Sequence, residues 1–344
     1  MSEYTIALMP GDGIGPELTK ATLNVLEAVQ RKYDIRLNML EAEGGDDTLR
    51  RVGAALPEKT VNIIRSAHAC LKGPVGETAA DVIVKLRVLL DLYANLRPVK
   101  VYPNVPSLKP GIDMLIVREN TEDVYRGLEL ELDKDTMVCL RVITRRGSER
   151  IIRYAFECAR QRQKKCRVTG VHKSNVMRKT DGLFSQVFRE VARQYPDMSS
   201  DEMYVDNAAM QLIRRPDEFD VLVTTNMFGD ILSDEAAMTV GGLGMAPGAN
   251  IGDDFALFEP VHGSAPKYAG QLVANPTSMI LASAMMLDWL GTRHKDQRCR
   301  DASAEIERVL MDTLAAGIMT RDLGGSARTD EFGAAISKRI EERR

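Results

Sequence analysis

Tyr4-Thr-Ile-Ala-Leu-Met-Pro-Gly-Asp-Gly-Ile-Gly-Pro16 reads as a short apolar strand, a glycine-broken turn and the first residues of a helix. A strand that feeds directly into a helix opens a βα unit, and the same alternation recurs along the chain. Further strands are expected at Ala67 to Lys72, Asp113 to Val117, Arg167 to His172, Met203 to Asp206 and Val221 to Thr225. Helices are expected at Pro16 to Lys32, Pro57 to Ser66, Ala79 to Ala94, Ser148 to Gln163, Asp181 to Gln194, Asp230 to Val240, Pro276 to Leu290 and Arg300 to Ala316. The fold class is therefore α/β with a largely parallel sheet. The opening turn invites a dinucleotide-fold interpretation, but its spacing is wrong. That fingerprint needs G-x-G-x-x-G, whereas Gly11, Gly13 and Gly15 bring the third glycine one position early. No acidic residue closes an obvious second strand ~20 residues later, as the fingerprint requires. A non-Rossmann α/β protein follows, with a tight strand-to-helix turn near a ligand.

Outward from this turn, two stretches look like crossings between domains. Val101 to Gly111 carries Pro103, Pro106 and Pro110, and Gly241 to Gly252 is glycine-rich. Two crossings imply a discontinuous first domain, residues 1–98 and 243–344, with a second of residues 99–242 inserted between its parts. Leu128 to Ile143 alternates like a strand pair, with a turn near Asp133 to Asp135. Such a projecting arm suits pairing with a partner chain.

The chain has 344 residues, enough for two domains, and 44% of them are apolar. Lys and Arg number 46 against 49 Asp and Glu, a net charge of −3 with no basic stripe, which argues against a nucleic-acid partner. No apolar run reaches the ~18 residues that span a bilayer, and no secretory leader precedes Pro10, so no membrane partner and a cytoplasmic location are expected. Cys70, Cys139, Cys158, Cys166 and Cys299 are odd in number and lack a CxxC pair, so they read as buried small residues. Four histidines without HExxH make a histidine-built zinc centre improbable.

Asp230 and Asp234 stand four apart at the expected start of a helix, so both carboxylates leave one face. Hard oxygen ligands suit Mg²⁺ or Mn²⁺, although such a pair is also compatible with a solvated face. Asp206 closes a strand expectation, where α/β proteins place ligands. In Ala79 to Ala94, the ~100° helical period puts Val82, Leu86, Leu89 and Tyr93 on a core stripe and Ile83, Val84 and Arg87 opposite it. That opposite side is either exposed helix or a pocket with a carboxylate at Arg87 and an apolar group at Ile83 and Val84. Arg97 and Arg118 end secondary elements, and a guanidinium fork suits a carboxylate or a surface salt bridge equally. Lys173 follows a strand and could act as a base, and Tyr125 as an acid. Glu259 to Gly270 is a broken loop whose N–H groups could receive phosphates.

Together these blocks closely resemble the isocitrate/3-isopropylmalate dehydrogenases, the β-decarboxylating dehydrogenases. The matching motifs are Pro10-Gly-Asp-Gly-Ile-Gly-Pro16, Leu96-Arg-Pro98, Val117-Arg-Glu-Asn-Thr-Glu-Asp-Val-Tyr125, His172-Lys-Ser-Asn175, Asp206-Asn-Ala-Ala-Met210, Gly229-Asp-Ile-Leu-Ser-Asp234 and Pro260-Val-His-Gly-Ser-Ala-Pro266, in family order. The resemblance implies the two-domain, non-Rossmann isocitrate/isopropylmalate dehydrogenase-like fold, with a large dinucleotide-binding domain and a small domain bearing a β arm for dimerisation. It implies a homodimer with active sites at the subunit boundary. It further implies substrate contacts at Arg87, Arg97, Arg118, Ile83, Val84 and Asn175, and Tyr125 as the acid. Lys173 and Asp206 match a base pair from the neighbouring subunit, and Asp206, Asp230 and Asp234 match the metal carboxylates. His262, Gly263, Asn275 and Asp322 match dinucleotide contacts.

The activity implied is metal-dependent oxidative decarboxylation of a 2-hydroxy-3-carboxy acid, with hydride passing to NAD(P)⁺. Isocitrate-using members present small polar side chains at the positions aligned with Asp81 and Ile83, whereas isopropylmalate members place leucines opposite Ile83 and Val84. The aliphatic pair here favours 3-isopropylmalate, with isocitrate or homoisocitrate as the alternative substrate and a regulatory subunit of a heteromeric isocitrate dehydrogenase as the non-enzyme alternative. Lys267 and Tyr268 resemble the 2′-phosphate contacts of NADP-linked isocitrate enzymes. Arg321 and Gly325 stand where a second such pair, a Tyr and an Arg, is missing, an NAD-type feature with one arginine retained in a shifted place; the balance leans to NADP⁺, with dual use open.

Overall fold

The computed structural model describes residues 2–342, so Met1 and the last two residues of the range 243–344 lie outside the described residues. The strands are β1 (Ser2–Met9), β2 (Ile35–Glu41), β3 (Ala69–Lys72), β4 (Ala94–Lys100), β5 (Asp113–Glu119), β6 (Glu129–Asp133), β7 (Thr136–Cys139), β8 (Arg167–His172), β9 (Ser199–Tyr204), β10 (Val221–Thr224), β11 (Pro247–Ile251) and β12 (Ala256–Pro260). The helices are α1 (Gly15–Tyr33), α2 (Asp46–Val52), α3 (Glu58–Ser66), α4 (Asp81–Leu89), α5 (Arg145–Arg162), α6 (Thr180–Ala192), α7 (Val205–Arg214), α8 (Asn226–Met238), α9 (Thr277–His294), α10 (Gln297–Ala315) and α11 (Thr329–Glu342).

Ten strands form one sheet in the order β2-β1-β3-β12-β11-β4-β5-β10-β8-β9. The pairs β2/β1, β1/β3 and β3/β12 are parallel, as are β5/β10, β10/β8 and β8/β9. Between these blocks β11 and β4 pair antiparallel with both neighbours. Chain from residues 2–100 and 247–260 thus builds one half of the sheet, and chain from 113–224 builds the other. Both faces are covered, which is why β1 is apolar without alternation. Ile6 and Leu8 enter the large core beneath α1 and α9, while Ala7 and Met9 enter a second core with Val82 and Leu86 of α4. A third core joins Met114 and Ile116 of β5 to Leu232 and Ala236 of α8. Helices α4 and α8 therefore cover the same face on opposite halves, and the gap between them lies over β4.

Several expectations are corrected here. The Ala79 to Ala94 helix ends at Leu89, and Tyr93 belongs to the approach to β4; Leu89 is 48% exposed and does not join the core stripe. Arg97 lies inside β4, where period-two alternation puts it beside Asn95 and opposite Leu96 and Pro98. Asp206 is in the first turn of α7, because the strand stops at Tyr204. Helix α8 starts at Asn226, so Asp230 sits one turn in. The glycine-rich crossing contains β11, and β12 follows it. A second strand, β2, does follow α1, yet its terminal Glu41 is exposed. Cys70 and Cys299 are buried, but Cys139 is exposed on the arm. The arm itself is a separate two-stranded sheet of β6 and β7 whose Leu128, Leu130, Leu132 and Met137 face outward.

Candidate functional site

A cavity of about 810 Å³ opens between α4 and α8 and gathers Ile83, Val84, Arg87, Arg97, Arg118, Tyr125, Asp230, His262 and Gly263. All three arginines are buried, Arg118 to 1% exposure, which rules out surface salt bridges as their purpose. Each is aimed by an amide. Arg87 Nε donates to Asn250 Oδ1 at 3.0 Å, Arg97 Nε to Asn95 Oδ1 at 2.6 Å and Arg118 Nε to Asn226 Oδ1 at 3.0 Å. Burial and the neighbouring Arg118 charge push Arg87 down to about 10, and the same causes lower Arg97. The buried Arg97 Nη1 has no hydrogen-bond partner among the described residues. An unpaired buried donor costs ~1–3 kcal/mol, so this constellation calls for an anion.

Beneath the arginines lies a network that the sequence did not announce. Lys72 Nζ donates to Glu259 Oε2 at 2.9 Å, and Asn250 Nδ2 donates to Glu259 Oε1 at 2.9 Å. Asn250 Oδ1 also accepts from Asn95 at 2.7 Å and Asn120 at 2.9 Å. Glu259 is fully buried, which alone would raise its pKa, but Lys72 and Arg87 overcome this and bring it down to about 2. Only the i, i+2 spacing of Asn95 and Arg97 on one strand face was a usable signal; Lys72, Asn250 and Glu259 meet through sheet order.

At the other wall, Asp230 accepts from Arg118 Nη1 and from the Tyr125 hydroxyl. Burial opposes ionisation of Asp230, yet Arg118, Tyr125, Arg97 and Arg87 hold its pKa below the ordinary value. Burial raises Tyr125, and its bond to Asp230 adds to this. Asp234, one turn on, has Oδ1 4.0 Å from Arg97 Nη1, and burial with the Asp230 charge raises its pKa. Two carboxylates that repel each other on one helix face fit a hard divalent cation completed by water and a chelating acid. No three metal-binding side chains meet among the described residues, so Asp206 does not join this pair within one chain.

Lys173, Asp206 and Asn175 lie outside the cavity. Lys173 Nζ donates to Asp206 Oδ1 at 2.5 Å, Asn175 is exposed in the following turn, and the Lys173–Asp206 bond holds Asp206 ionised. A second cavity of about 760 Å³ shares His262, Gly263 and Ala265 with the first and adds Tyr268, Asn275, Arg321 and Asp322. Asp322 is anchored by Asn275 Nδ2 at 3.0 Å and Thr320 Oγ1 at 2.5 Å. Lys267 stands outside this lining with Nζ 4.7 Å from the Tyr268 ring centre.

The isocitrate/isopropylmalate dehydrogenase family model matches residues 5–336. This is a family of decarboxylating dehydrogenases that work with a divalent metal and a nicotinamide dinucleotide. The chain is 50% identical over 342 residues to a 3-isopropylmalate dehydrogenase of Methanothermobacter thermautotrophicus, covering 99% of this chain and 100% of that one. It is 49% identical over 342 residues to a 3-isopropylmalate/3-methylmalate dehydrogenase of Methanocaldococcus jannaschii, with 98% and 99% covered. The crystal structure of an isocitrate dehydrogenase from Methylococcus capsulatus superimposes with a TM-score of 0.92 at 42% identity, covering 98% of this chain and 100% of that one. No helix among the described residues is long and apolar enough to cross a membrane. With sheet order, arginine cavity and full-length match in agreement, the chain belongs to the isocitrate/isopropylmalate dehydrogenase family and is a decarboxylating dehydrogenase.

Proposed function

We propose that this enzyme oxidises and decarboxylates 3-isopropylmalate, passing hydride to NAD(P)⁺ with NADP⁺ favoured and with Mg²⁺ or Mn²⁺ required. The observation that carries this is the aliphatic pair Ile83 and Val84 beside three buried arginines. Two carboxylates find guanidinium partners there, whereas a third carboxylate against Ile83 and Val84 would lose hydration without compensation. An isopropyl group buries itself instead.

A cation held by Asp230 and Asp234, with Asp206 from a second copy, and the dinucleotide in the second cavity would supply Lewis-acid polarisation and the hydride acceptor. Arg87, Arg97 and Arg118 bind the substrate carboxylates and orient C2. Lys173 of the second copy, as the neutral amine, accepts the C2 hydroxyl proton, and Asp206 holds the ammonium that results. When carbon dioxide departs, Tyr125 donates its phenolic proton to C3 and recovers one from solvent; its raised pKa keeps it protonated at neutral pH. His262, Gly263, Asn275 and Asp322 bind the adenosine half, Lys267 and Tyr268 support the lean to NADP⁺, and Arg321 keeps one arginine, in a shifted place, at the same cavity.

A homodimer is part of this proposal, since the Lys173–Asp206 pair does not line the arginine cavity of its own chain. The apolar faces available for it are the arm and the exposed Met210, Ile213, Ile231 and Met238 of α7 and α8. Residues 1–98 and 243–344 would form the dinucleotide-binding domain, and residues 99–242 the small domain. The test is initial-rate measurement with 3-isopropylmalate, isocitrate, homoisocitrate and malate, each with NAD⁺ and NADP⁺, with and without Mg²⁺. Efficient turnover of isocitrate but not 3-isopropylmalate would overturn the pocket assignment. Lys267-Tyr268 and the likeness to an isocitrate dehydrogenase make that the second candidate. Turnover by the purified chain alone would separate either from a regulatory subunit.

A further inference from the structure

The Gly11–Gly15 turn has no part in the mechanism above, and its contacts are unlike those of a phosphate cradle. A Cβ on Gly11 would stand 2.0 Å from the Pro74 carbonyl oxygen, and one on Gly13 would stand 2.1 Å from that of Ser264. Asp12 N donates to Pro74 O at 2.8 Å and Ile14 N to Ser264 O at 2.9 Å. The glycines thus admit carbonyl oxygens of two other loops, which would repel a phosphate. Pro74 to Thr78 lines the first cavity, as does Ser264, while His262, Gly263 and Ala265 border both.

Two carboxylates extend this interlock, one toward each side. Asp12, 5% exposed, carries no ion pair among the described residues; Oδ2 accepts from Asp46 N at 2.7 Å and Gly76 N at 2.8 Å, and Oδ1 from Asp47 N at 3.0 Å. Those N–H groups belong to the first turn of α2 and to the segment 73–78, at the mouth of the hydroxy-acid cavity. Glu17, at the start of α1, instead accepts from Gly270 N at 3.0 Å and Leu272 N at 3.4 Å with Oε2, on the side of Tyr268 and the second cavity. A charged acceptor strengthens such bonds at both carboxylates, and for Asp12, which is buried, losing them is costly as well.

We propose that Asp12 and Glu17 are positioning residues that divide the site between them: Asp12 fixes the hydroxy-acid side from the turn and Glu17 the dinucleotide side from the helix that continues it, so that together they set the distance between the reacting carbons. This rests on the assignment of the two cavities above. Hydride transfer is sensitive to misplacement on the scale of 1 Å, so the effects should be kinetic.

The experiment compares Asp12→Asn, Glu17→Gln and wild type, using whichever hydroxy acid the wild-type panel identifies. Asp12→Asn places an amide N–H against backbone donors and is expected to lower kcat/KM for the hydroxy acid at least tenfold while the dinucleotide KM stays within twofold. Glu17→Gln is expected to raise the dinucleotide KM at least fivefold with the hydroxy-acid KM within twofold. If Asp12→Asn does not fold, Gly45→Ala serves, because its Cβ would stand 2.2 Å from Asp12 Oδ2 itself and displace the carboxylate from its N–H partners. Hydrogen exchange gives a readout independent of turnover: faster at 44–47 and 73–78 in the first variant, faster at 270–272 in the second. Equal effects of both variants on both substrates, or uniformly faster exchange, would overturn the division of labour. Absence of wild-type turnover with every acid would instead count against the functional assignment, and the exchange pattern would still judge this one.

Discussion

Lys72→Met removes one partner of a pair in which both side chains are under one tenth exposed. Glu259 is left with Asn250 and with Arg87 Nη2 at 3.5 Å. The fall of the Glu259 pKa from 4.5 to about 2 corresponds to about 3 kcal/mol of stabilisation of its ionised form. Breaking a buried pair from one side costs roughly 3–5 kcal/mol, and the retained Arg87 places this case near the lower end. For a chain of 344 residues the unfolding entropy is about 0.7 kcal/mol/K, so the melting temperature should drop by about 4 °C. Because the folded pKa lies below the unfolded one, the stabilisation is present above about pH 4.5 and is lost as the pH falls towards about 2. Calorimetry of both proteins from pH 7 to pH 3 should therefore show the gap widest at neutrality and shrinking with acid. The double variant Lys72→Met with Glu259→Gln should recover only part of the loss, since it removes the stranded carboxylate but also the counter-charge 3.5 Å from the buried Arg87. Equal melting temperatures at pH 7, or a gap that grows on acidification, would refute the proposed energetics.

Ile83→Ser removes roughly three buried carbons, worth about 2 kcal/mol, so the ratio of kcat/KM for 3-isopropylmalate to that for malate should fall about thirtyfold; an unchanged ratio would mean that α4 does not line the side-chain pocket. Chelation with EDTA should stop turnover and added Mg²⁺ or Mn²⁺ should restore it, whereas turnover that ignores the chelator would remove Asp206, Asp230 and Asp234 as metal ligands. Tyr125→Phe should lower kcat by about 10²–10⁴-fold, the usual contribution of a positioned acid, with the dinucleotide KM unchanged. Arg321→Ala should raise the KM for NADP⁺ about tenfold and that for NAD⁺ little, as expected for the loss of one charge-assisted hydrogen bond to a phosphate; a parallel rise in both would place Arg321 elsewhere on the nucleotide.

Local pattern was legible wherever one strand or helix made its own contacts. The βα opening, the arm and the opposition of Val82 and Leu86 to Ile83, Val84 and Arg87 could all be read from spacing. Boundaries failed where a long-range partner overrode local preference. Tyr93 extends the α4 periodicity, yet the chain leaves the helix after Leu89 because Ala94 to Lys100 pairs along its whole length with β5. Likewise Asp206 follows a strand-like run but lies in the first turn of α7. The strands β11 and β12 are short and hold Gly248, Asn250, Pro247 and Pro260, residues that argue against strands unless neighbours supply the hydrogen bonds.

From the amino acids alone came the α/β class, the exclusion of the dinucleotide fingerprint and the identity of the charged groups available for chemistry. Tertiary structure decided which of those groups face one another. Lys72 and Glu259 are 187 residues apart and meet because β3 and β12 lie side by side. Arg87, Arg97 and Arg118 converge because an antiparallel β4 joins two parallel blocks and leaves a gap between α4 and α8. Periodicity along a chain reports which way a side chain points from its own element; which element stands opposite follows from strand order, and that is a property of the folded sheet.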